Sequence, residues 1–132
     1  MAIAWHAERE NEATRLALEL VPALAREATT QRAVLVDCLT LWLSNIMHAQ
    51  RDVDKETRRL AEWLRQTAHP VVLVSNEIGL GLVPESSLGR RFRDAQGRLN
   101  QAVAAAAPQV AFIAAGLPLW LKGHSVQQKV LP

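Results

Sequence analysis

Ala33-Val-Leu-Val-Asp37 is the stretch of sequence that decides the fold, because four apolar residues in a row lead directly into an acidic one. Two runs of the same kind follow, Val71-Val-Leu-Val-Ser75 and Val110-Ala-Phe-Ile-Ala114. Continuous apolar runs of this length are typical of strands that are buried on both faces of a parallel sheet. The sequence therefore predicts three neighbouring buried strands, with Asp37 and Asn76 at the same edge of the sheet.

Amphipathic stretches lie between these runs and predict helices. Apolar residues recur at helical spacing over residues 12–28, 54–67 and 90–107, and the last stretch stops before Pro108. Helices that alternate with strands indicate an α/β fold, here a mainly parallel sheet flanked by helices and connected by right-handed crossovers. Residues 124–132 lack such a pattern and are predicted to form a loose tail.

Size and composition fit one ordinary globular domain over residues 1–132. The chain is 49% hydrophobic and 21% charged with a net charge of +2, which is unlike a disordered or a polyanion-binding protein. Its longest apolar stretch is shorter than the about 20 residues that a membrane-spanning helix needs. The single Cys38 cannot form an internal disulfide, and this favours a cytoplasmic location.

Polar residues follow the first two apolar runs, at the edge where a parallel sheet binds ligands. Asp37 occupies the position of the acidic residue that holds Mg²⁺ or a water near a nucleotide phosphate. A helix N-terminal cap or a solvated loop carboxylate is the other interpretation of this position. Ser75-Asn-Glu77 leads into Gly79 and Gly81, which allow either a ligand close to the backbone or a sharp turn.

Arginines cluster after this glycine turn, at positions 90, 91, 93 and 98. They fit either a solvated basic helix face or a clamp for phosphates. Helical spacing puts Arg91 and Arg98 on one face, and we expect these two to contact acidic side chains or another protein. Too few aromatic residues accompany the cluster to indicate nucleic-acid binding.

The four histidines have none of the spacings that a zinc site requires. His6 is the most notable of them, because Glu8 could orient its ring and Arg9 could hold a phosphate, as a nucleophilic imidazole needs. A surface histidine near the terminus is the alternative. Cys38 fits a small apolar filler better than a nucleophile.

Three longer blocks of sequence carry a family resemblance. They are Val34-Leu-Val-Asp-Cys-Leu-Thr-Leu-Trp-Leu-Ser-Asn45, Val72-Leu-Val-Ser-Asn-Glu-Ile-Gly-Leu-Gly-Leu-Val-Pro-Glu85 with its continuation Arg90-Arg-Phe-Arg-Asp-Ala-Gln-Gly-Arg-Leu-Asn-Gln101, and Ala114-Ala-Gly-Leu-Pro-Leu-Trp-Leu-Lys122. In this order they resemble the adenosylcobinamide kinase / adenosylcobinamide-phosphate guanylyltransferase family.

The resemblance implies a RecA-like P-loop fold, a homo-oligomer that is a trimer in this family, and two activities in cobalamin biosynthesis. GTP or ATP phosphorylates adenosylcobinamide, and GMP from GTP is then passed through a histidine to adenosylcobinamide phosphate. By this resemblance His6 is the guanylylated nucleophile, and Asp37 contacts the nucleotide or its Mg²⁺. The other nucleotide contacts that it implies are Ala7, Glu8, Arg9 and Glu12.

The sequence departs from the family at the phosphate-binding loop. It contains no G-x-x-x-x-G-K-[ST] motif, which in the family lies with the N-terminal strands in a segment expected before Met1. Two other interpretations therefore stand beside the bifunctional enzyme. One is a catalytically inactive fragment or oligomerisation core of that enzyme. The other is a different small-molecule kinase of the P-loop class, which explains the three blocks less well.

Overall fold

The computed structural model describes residues 17–123. In chain order its elements are α1 (Leu20–Glu27), β1 (Val34–Asp37), α2 (Leu39–His48), α3 (Val53–Gln66), β2 (Val71–Val74), α4 (Ser87–Ala106), β3 (Val110–Ala114) and β4 (Leu117–Lys122). Helices and strands alternate as the sequence predicts, and the α/β class is confirmed. The tail predicted at residues 124–132 lies outside the described residues.

Side-chain caps mark where the two long helices begin. The Asp52 carboxylate accepts a hydrogen bond of 2.9 Å from the amide of Lys55 at the start of α3. The Ser86 hydroxyl accepts one of 3.0 Å from the amide of Gly89 at the start of α4. Such caps satisfy amides that have no acceptor within the first turn. They therefore help to set the first residue of each helix.

The core lies between the helices and β1. Helix α2 contributes Leu39, Leu43 and Ile46, which are fully buried and spaced so that they share one face. Leu60 of α3 and Leu99 of α4 are buried in the same cluster. Among the described residues, the buried apolar cluster consists of Val21, Leu24, Ala28, Val34, Leu39, Trp42, Leu43, Ile46, Leu60, Ala95 and Leu99. Removing this apolar surface from water is the main favourable contribution to folding.

Strands β1 and β2 form the parallel pair that the sequence predicts. The register runs from Val34 opposite Val71 to Asp37 opposite Val74. Because parallel strands end at the same edge, Asp37 and the residues that follow β2, beginning with Ser75 and Asn76, lie together there, as predicted.

Burial of β2 on both faces is not found. Val71 and Leu73 pack against the core, whereas Val72 is 57% exposed and Val74 is also exposed. The strand therefore has one covered and one open face in the described part of the chain. The prediction from its continuous apolar run is wrong for the open face.

The third apolar run is not a neighbour of the first two, which corrects the prediction of one three-stranded parallel sheet. Strand β3 pairs antiparallel with β4 in a separate two-stranded sheet. Ala115 and Gly116 both have positive φ, 52° and 78°, and such a two-residue turn reverses the chain directly after β3. Within residues 17–123, β1 and β2 pair only with each other.

Lysine contacts join this hairpin to the end of α4. The Lys122 ammonium donates hydrogen bonds of 3.0 Å to the carbonyl of Ala104 and 3.1 Å to that of Ala105. Carbonyls in the last turn of a helix have no intrahelical partner, so a cation there is favourable.

Arg51, in the segment before α3, forms ion pairs with a residue just before α1 and with one in the first turn of α3. The Arg51 guanidinium lies 2.5 Å from the Glu19 carboxylate and 3.6 Å from that of Glu56. The hydrogen bond to Glu19 raises the pKa of Arg51. On α1, the hydrogen bond from Arg26 lowers the pKa of the Glu27 carboxyl. None of the helices between residues 17 and 123 has the length and hydrophobicity to cross a membrane.

Candidate functional site

Asp37 ends β1 with its side chain exposed at the carboxyl edge. The next residue, Cys38, occupies the N-cap of α2, and no side chain caps that helix. The interpretation of Asp37 as a helix cap is therefore wrong. The Asp37–Cys38 peptide bond is cis, and Cys38 carries a free thiol.

A polar cluster connects the end of β2 to α4. Gln96 is fully buried on α4, and its side-chain amide donates hydrogen bonds of 2.9 Å to the Ser75 hydroxyl and 2.9 Å to the Asn100 side-chain oxygen. The Ser75 hydroxyl in turn donates to the same Asn100 oxygen at 2.6 Å. Each of these three side chains thus contacts the other two.

The backbone of Asn76 is held from two sides at this edge. Its carbonyl accepts a hydrogen bond of 3.1 Å from the Asn100 side-chain amide, and its N–H donates one of 3.0 Å to the Thr40 hydroxyl. Thr40 belongs to the first turn of α2, three residues after Asp37, whereas Asn100 belongs to α4. Two helices therefore fix the point at which the chain leaves β2.

The chain then forms an irregular loop, residues 77–85, whose other end is held by Arg90. The Arg90 guanidinium donates hydrogen bonds of 3.0 Å to the Pro84 carbonyl and 2.6 Å to the Glu85 carbonyl. Gly89 allows the loop to lie against α4, because a Cβ at this position would come within 2.8 Å of the Pro84 ring. Near the first end, the Gly79 amide donates a hydrogen bond to the Glu77 carboxylate.

Three apolar side chains of this loop face solvent. Leu82 is 95% exposed, and Leu80 and Val83 are also largely exposed. The loop carries two acidic residues, Glu77 and Glu85, and no basic one.

A magnesium ion that arrives with a nucleotide suits this edge. Among residues 17–123 no three acidic, histidine or cysteine side chains converge on one point. Mg²⁺ in phosphate-binding sites takes only one or two protein carboxylates, with phosphate and water oxygens completing its shell. The exposed carboxylate of Asp37 has the chemistry that such an ion requires.

Three of the four clustered arginines on α4 contact other groups of the protein. Arg98 lies 3.7 Å from the Asp54 carboxylate, so the predicted contact of Arg98 with an acidic side chain is confirmed. Arg93 lies 3.8 Å from Asp94. Arg90 binds the two loop carbonyls, so these three guanidiniums each contact a protein group and do not form one open phosphate clamp.

Sequence comparisons show to which family the chain belongs. The chain matches the family described as cobinamide kinase / cobinamide phosphate guanyltransferase over residues 3–121. It belongs to this family. The match includes β1 with Asp37, the polar cluster and the loop of residues 77–85.

Curated relatives agree with the family match. The chain is 45% identical over 109 residues to the bifunctional adenosylcobalamin biosynthesis protein CobP of Pseudomonas aeruginosa, covering 81% of this chain and 63% of the relative. It is 35% identical over 105 residues to the protein CobU of Salmonella typhimurium, which bears the same description, covering 68% and 58% of the two chains. The Escherichia coli CobU is 34% identical over 104 residues, with coverage of 67% and 58%. The chain thus spans about three fifths of the length of these relatives.

Of the site residues predicted from the family resemblance, the structure describes Asp37 alone. The others, His6, Ala7, Glu8, Arg9 and Glu12, lie outside the described residues. Their roles in the cobinamide kinase / guanyltransferase reaction stay predictions.

Sequence reasoning missed the residues that support the edge: Thr40, Gln96 and Asn100. One signal was available for Gln96, which lies between Phe92 and Leu99 on the apolar stripe of the predicted helix. A long polar side chain at a core-facing position requires buried hydrogen-bond partners. Nothing in the local sequence indicates that Thr40 and Asn100 meet at Asn76, because they come from different helices.

Proposed function

We propose that this protein acts in adenosylcobalamin biosynthesis as a cobinamide kinase and cobinamide-phosphate guanylyltransferase, on a RecA-like P-loop fold. The family match and the descriptions of the three relatives support the proposal. The structural observation that carries it is the exposed carboxylate of Asp37 at the carboxyl edge of a parallel strand pair. Open α/β sheets bind nucleotides at this edge.

Two phosphorus-transfer reactions follow from this proposal. In the first, the aminopropanol hydroxyl of adenosylcobinamide attacks the γ-phosphorus of GTP or ATP, and a nucleoside diphosphate leaves. In the second, a ring nitrogen of His6 attacks the α-phosphorus of GTP, and pyrophosphate leaves. The phosphate of adenosylcobinamide phosphate then attacks the guanylylated histidine and forms a phosphoanhydride. The imidazole recovers its electron pair as the phosphorus–nitrogen bond breaks.

The remaining site residues bind and orient the nucleotide in this mechanism. Ala7, Glu8, Arg9 and Glu12 are the proposed nucleotide contacts. Arg9 stabilises the charge that develops on the phosphates. Asp37 would hold Mg²⁺, which would neutralise phosphate charge in the bound nucleotide. Imidazole is largely unprotonated at pH 7, so His6 needs no separate base.

The proposal includes a homo-oligomer, a trimer by family resemblance, in the cytoplasm. Exposed apolar residues on β4 support association, because contiguous apolar patches at a protein surface mark interaction sites. The single cysteine supports a reducing compartment.

Labelling with GTP tests the proposed nucleophile. Incubation with α-labelled GTP and Mg²⁺ is expected to label the chain and not its His6→Asn variant. A phosphoramidate is labile in acid and stable in alkali, so the label should be lost in acid. Adenosylcobinamide phosphate should also release it. The matched control is His48→Asn, since His48 is an exposed histidine of α2 that the mechanism does not use.

Two results contradict this assignment. Label that persists in His6→Asn places the nucleophile elsewhere. A folded wild-type chain that takes no label supports the second candidate function, a catalytically inactive fragment or oligomerisation core of that enzyme. The sequence observation that favours this second candidate is the lack of a G-x-x-x-x-G-K-[ST] motif in the 132 residues.

A further inference from the structure

The loop of residues 77–85 is ordered at both ends and apolar in the middle. Thr40 and Asn100 hold the residue before it, and Arg90 holds its last two carbonyls. Between these points Leu82 is 95% exposed. Ordering a loop costs conformational entropy, and leucines that stay exposed to water contribute no hydrophobic stabilisation to offset this cost. A ligand that covers these side chains would remove their apolar surface from water.

We propose that this loop binds the corrin ring of cobinamide, with Leu80, Leu82 and Val83 packed against a face of the macrocycle. The inference rests on the proposed function, which makes adenosylcobinamide the substrate. A corrin ring is broad and bears methyl groups on its faces, so it offers apolar surface to three exposed aliphatic side chains. Because hydrogen bonds already hold both ends of the loop, only its middle has to be ordered when the ring binds.

Position connects the loop to the reaction. It starts directly after β2, at the edge where Asp37 ends β1. If the corrin ring lies on this loop, the substituents of the ring can reach a nucleotide that is bound at the carboxyl edge of β1 and β2. The aminopropanol group that accepts the phosphate is one of these substituents.

Charge favours cobinamide over the nucleotide as the ligand of this loop. Glu77 and Glu85 are its charged residues, and it contains no lysine or arginine. Adenosylcobinamide is a cation, because the charge of Co(III) exceeds the two negative charges of its corrin and adenosyl ligands. The carboxylates of Glu77 and Glu85 therefore attract this cation and repel nucleotide phosphates.

Equilibrium dialysis of adenosylcobinamide against the full chain tests the proposal, with the corrin absorbance as the signal. Leu82→Ser removes the most exposed leucine of the loop and leaves the core untouched. It is expected to weaken binding by roughly tenfold, the loss that follows when a leucine no longer buries its apolar surface. Circular dichroism checks that the variant is folded.

Leu121→Ser is the matched control. It is compared with the wild type at a concentration at which sedimentation shows the same oligomeric state, because Leu121 lies on the β4 face that is expected to take part in self-association. Leu121 is also exposed, but it precedes Lys122, which contacts the C-terminal end of α4. The loop of residues 77–85 joins the N-terminal end of this 20-residue helix, which is about 30 Å long. The control is therefore expected to bind adenosylcobinamide like the wild type.

Each other outcome overturns the proposal. If Leu82→Ser binds as tightly as the wild type, the loop is not the corrin site, and the proposed function stands. If Leu82→Ser dissociates an oligomer in sedimentation, with or without weaker binding, the loop contacts a second copy of the chain instead. If the wild type binds no adenosylcobinamide and takes no label from GTP, the proposed function falls and this inference falls with it.

Discussion

Gln96 is the residue that links the core to the candidate site. Its side chain is fully buried, yet its amide nitrogen donates to Ser75 and Asn100 at the carboxyl edge. Its side-chain oxygen has no hydrogen-bond partner among the described residues. A buried acceptor without a partner lowers the stability of the fold. The hydrogen bonds of Gln96 to Ser75 and Asn100 offset this loss.

Two substitutions of Gln96 are expected to differ in their effect on the free energy of unfolding. One introduces a buried charge, and the other keeps the length of the side chain but removes its polar atoms. Gln96→Glu buries a carboxylate that cannot donate to Ser75 or Asn100, and it should lower the free energy of unfolding by about 3 kcal/mol. Gln96→Met has a similar length and no polar atoms, and it should change the free energy by less than about 1 kcal/mol because the unpaired oxygen is also removed. Urea unfolding measures both variants. Equal destabilisation by the two would show that packing, and not the buried network, determines the role of Gln96.

At the residue scale, local sequence predicts a site residue only where one element determines its place. Asp37 was predictable because it ends an apolar strand run, and strand ends in a parallel sheet meet at one edge. Thr40 and Asn100 meet the backbone of Asn76 through tertiary contacts between three elements. No spacing within one segment encodes such a contact.

The start of α3 is determined by one side chain. Asp52 accepts the hydrogen bond from the Lys55 amide, and the helix then runs 14 residues through buried Leu60. Asp52→Ala should lower the free energy of unfolding by about 1 kcal/mol, because one amide of the first turn loses its acceptor. Asp52→Asn keeps an acceptor oxygen and is the control, with little loss expected. Urea unfolding distinguishes them, and equal losses would mean that the charge of Asp52 matters rather than its hydrogen bond.

Element types were more predictable than element partners. The apolar run at Val71–Val74 predicted a strand, and the structure pairs it with β1 as expected. The run at Val110–Ala114 also predicted a strand, but its partner is β4, which was not predicted. An apolar run predicts that a strand is packed against other elements, but it does not identify the strand with which it pairs. The turn at Ala115 and Gly116 makes the nearest segment the partner.

At the scale of the whole molecule, the β3–β4 hairpin is incompletely covered. Leu117, Leu119 and Leu121 alternate along β4 and therefore share one face, and all three are exposed. On the other face Ile113 is exposed as well. A two-stranded ribbon is marginally stable in water unless further strands or helices pack on it. Both faces therefore offer apolar surface to a further packing partner, and a second copy of the chain is the partner that we propose.

Self-association is accordingly expected at micromolar concentration, and Leu119→Glu should reduce it. Complete burial of one leucine contributes about 1.5–3 kcal/mol, and a carboxylate in the same contact adds a desolvation cost. The free energy of unfolding should change little, since Leu119 is 59% exposed within the chain. Leu41→Glu, an exposed leucine on α2, is the control and should leave the oligomer intact. Sedimentation velocity measures all three proteins. A wild-type chain that sediments as a folded monomer would contradict the prediction, as would an oligomer that Leu119→Glu does not weaken.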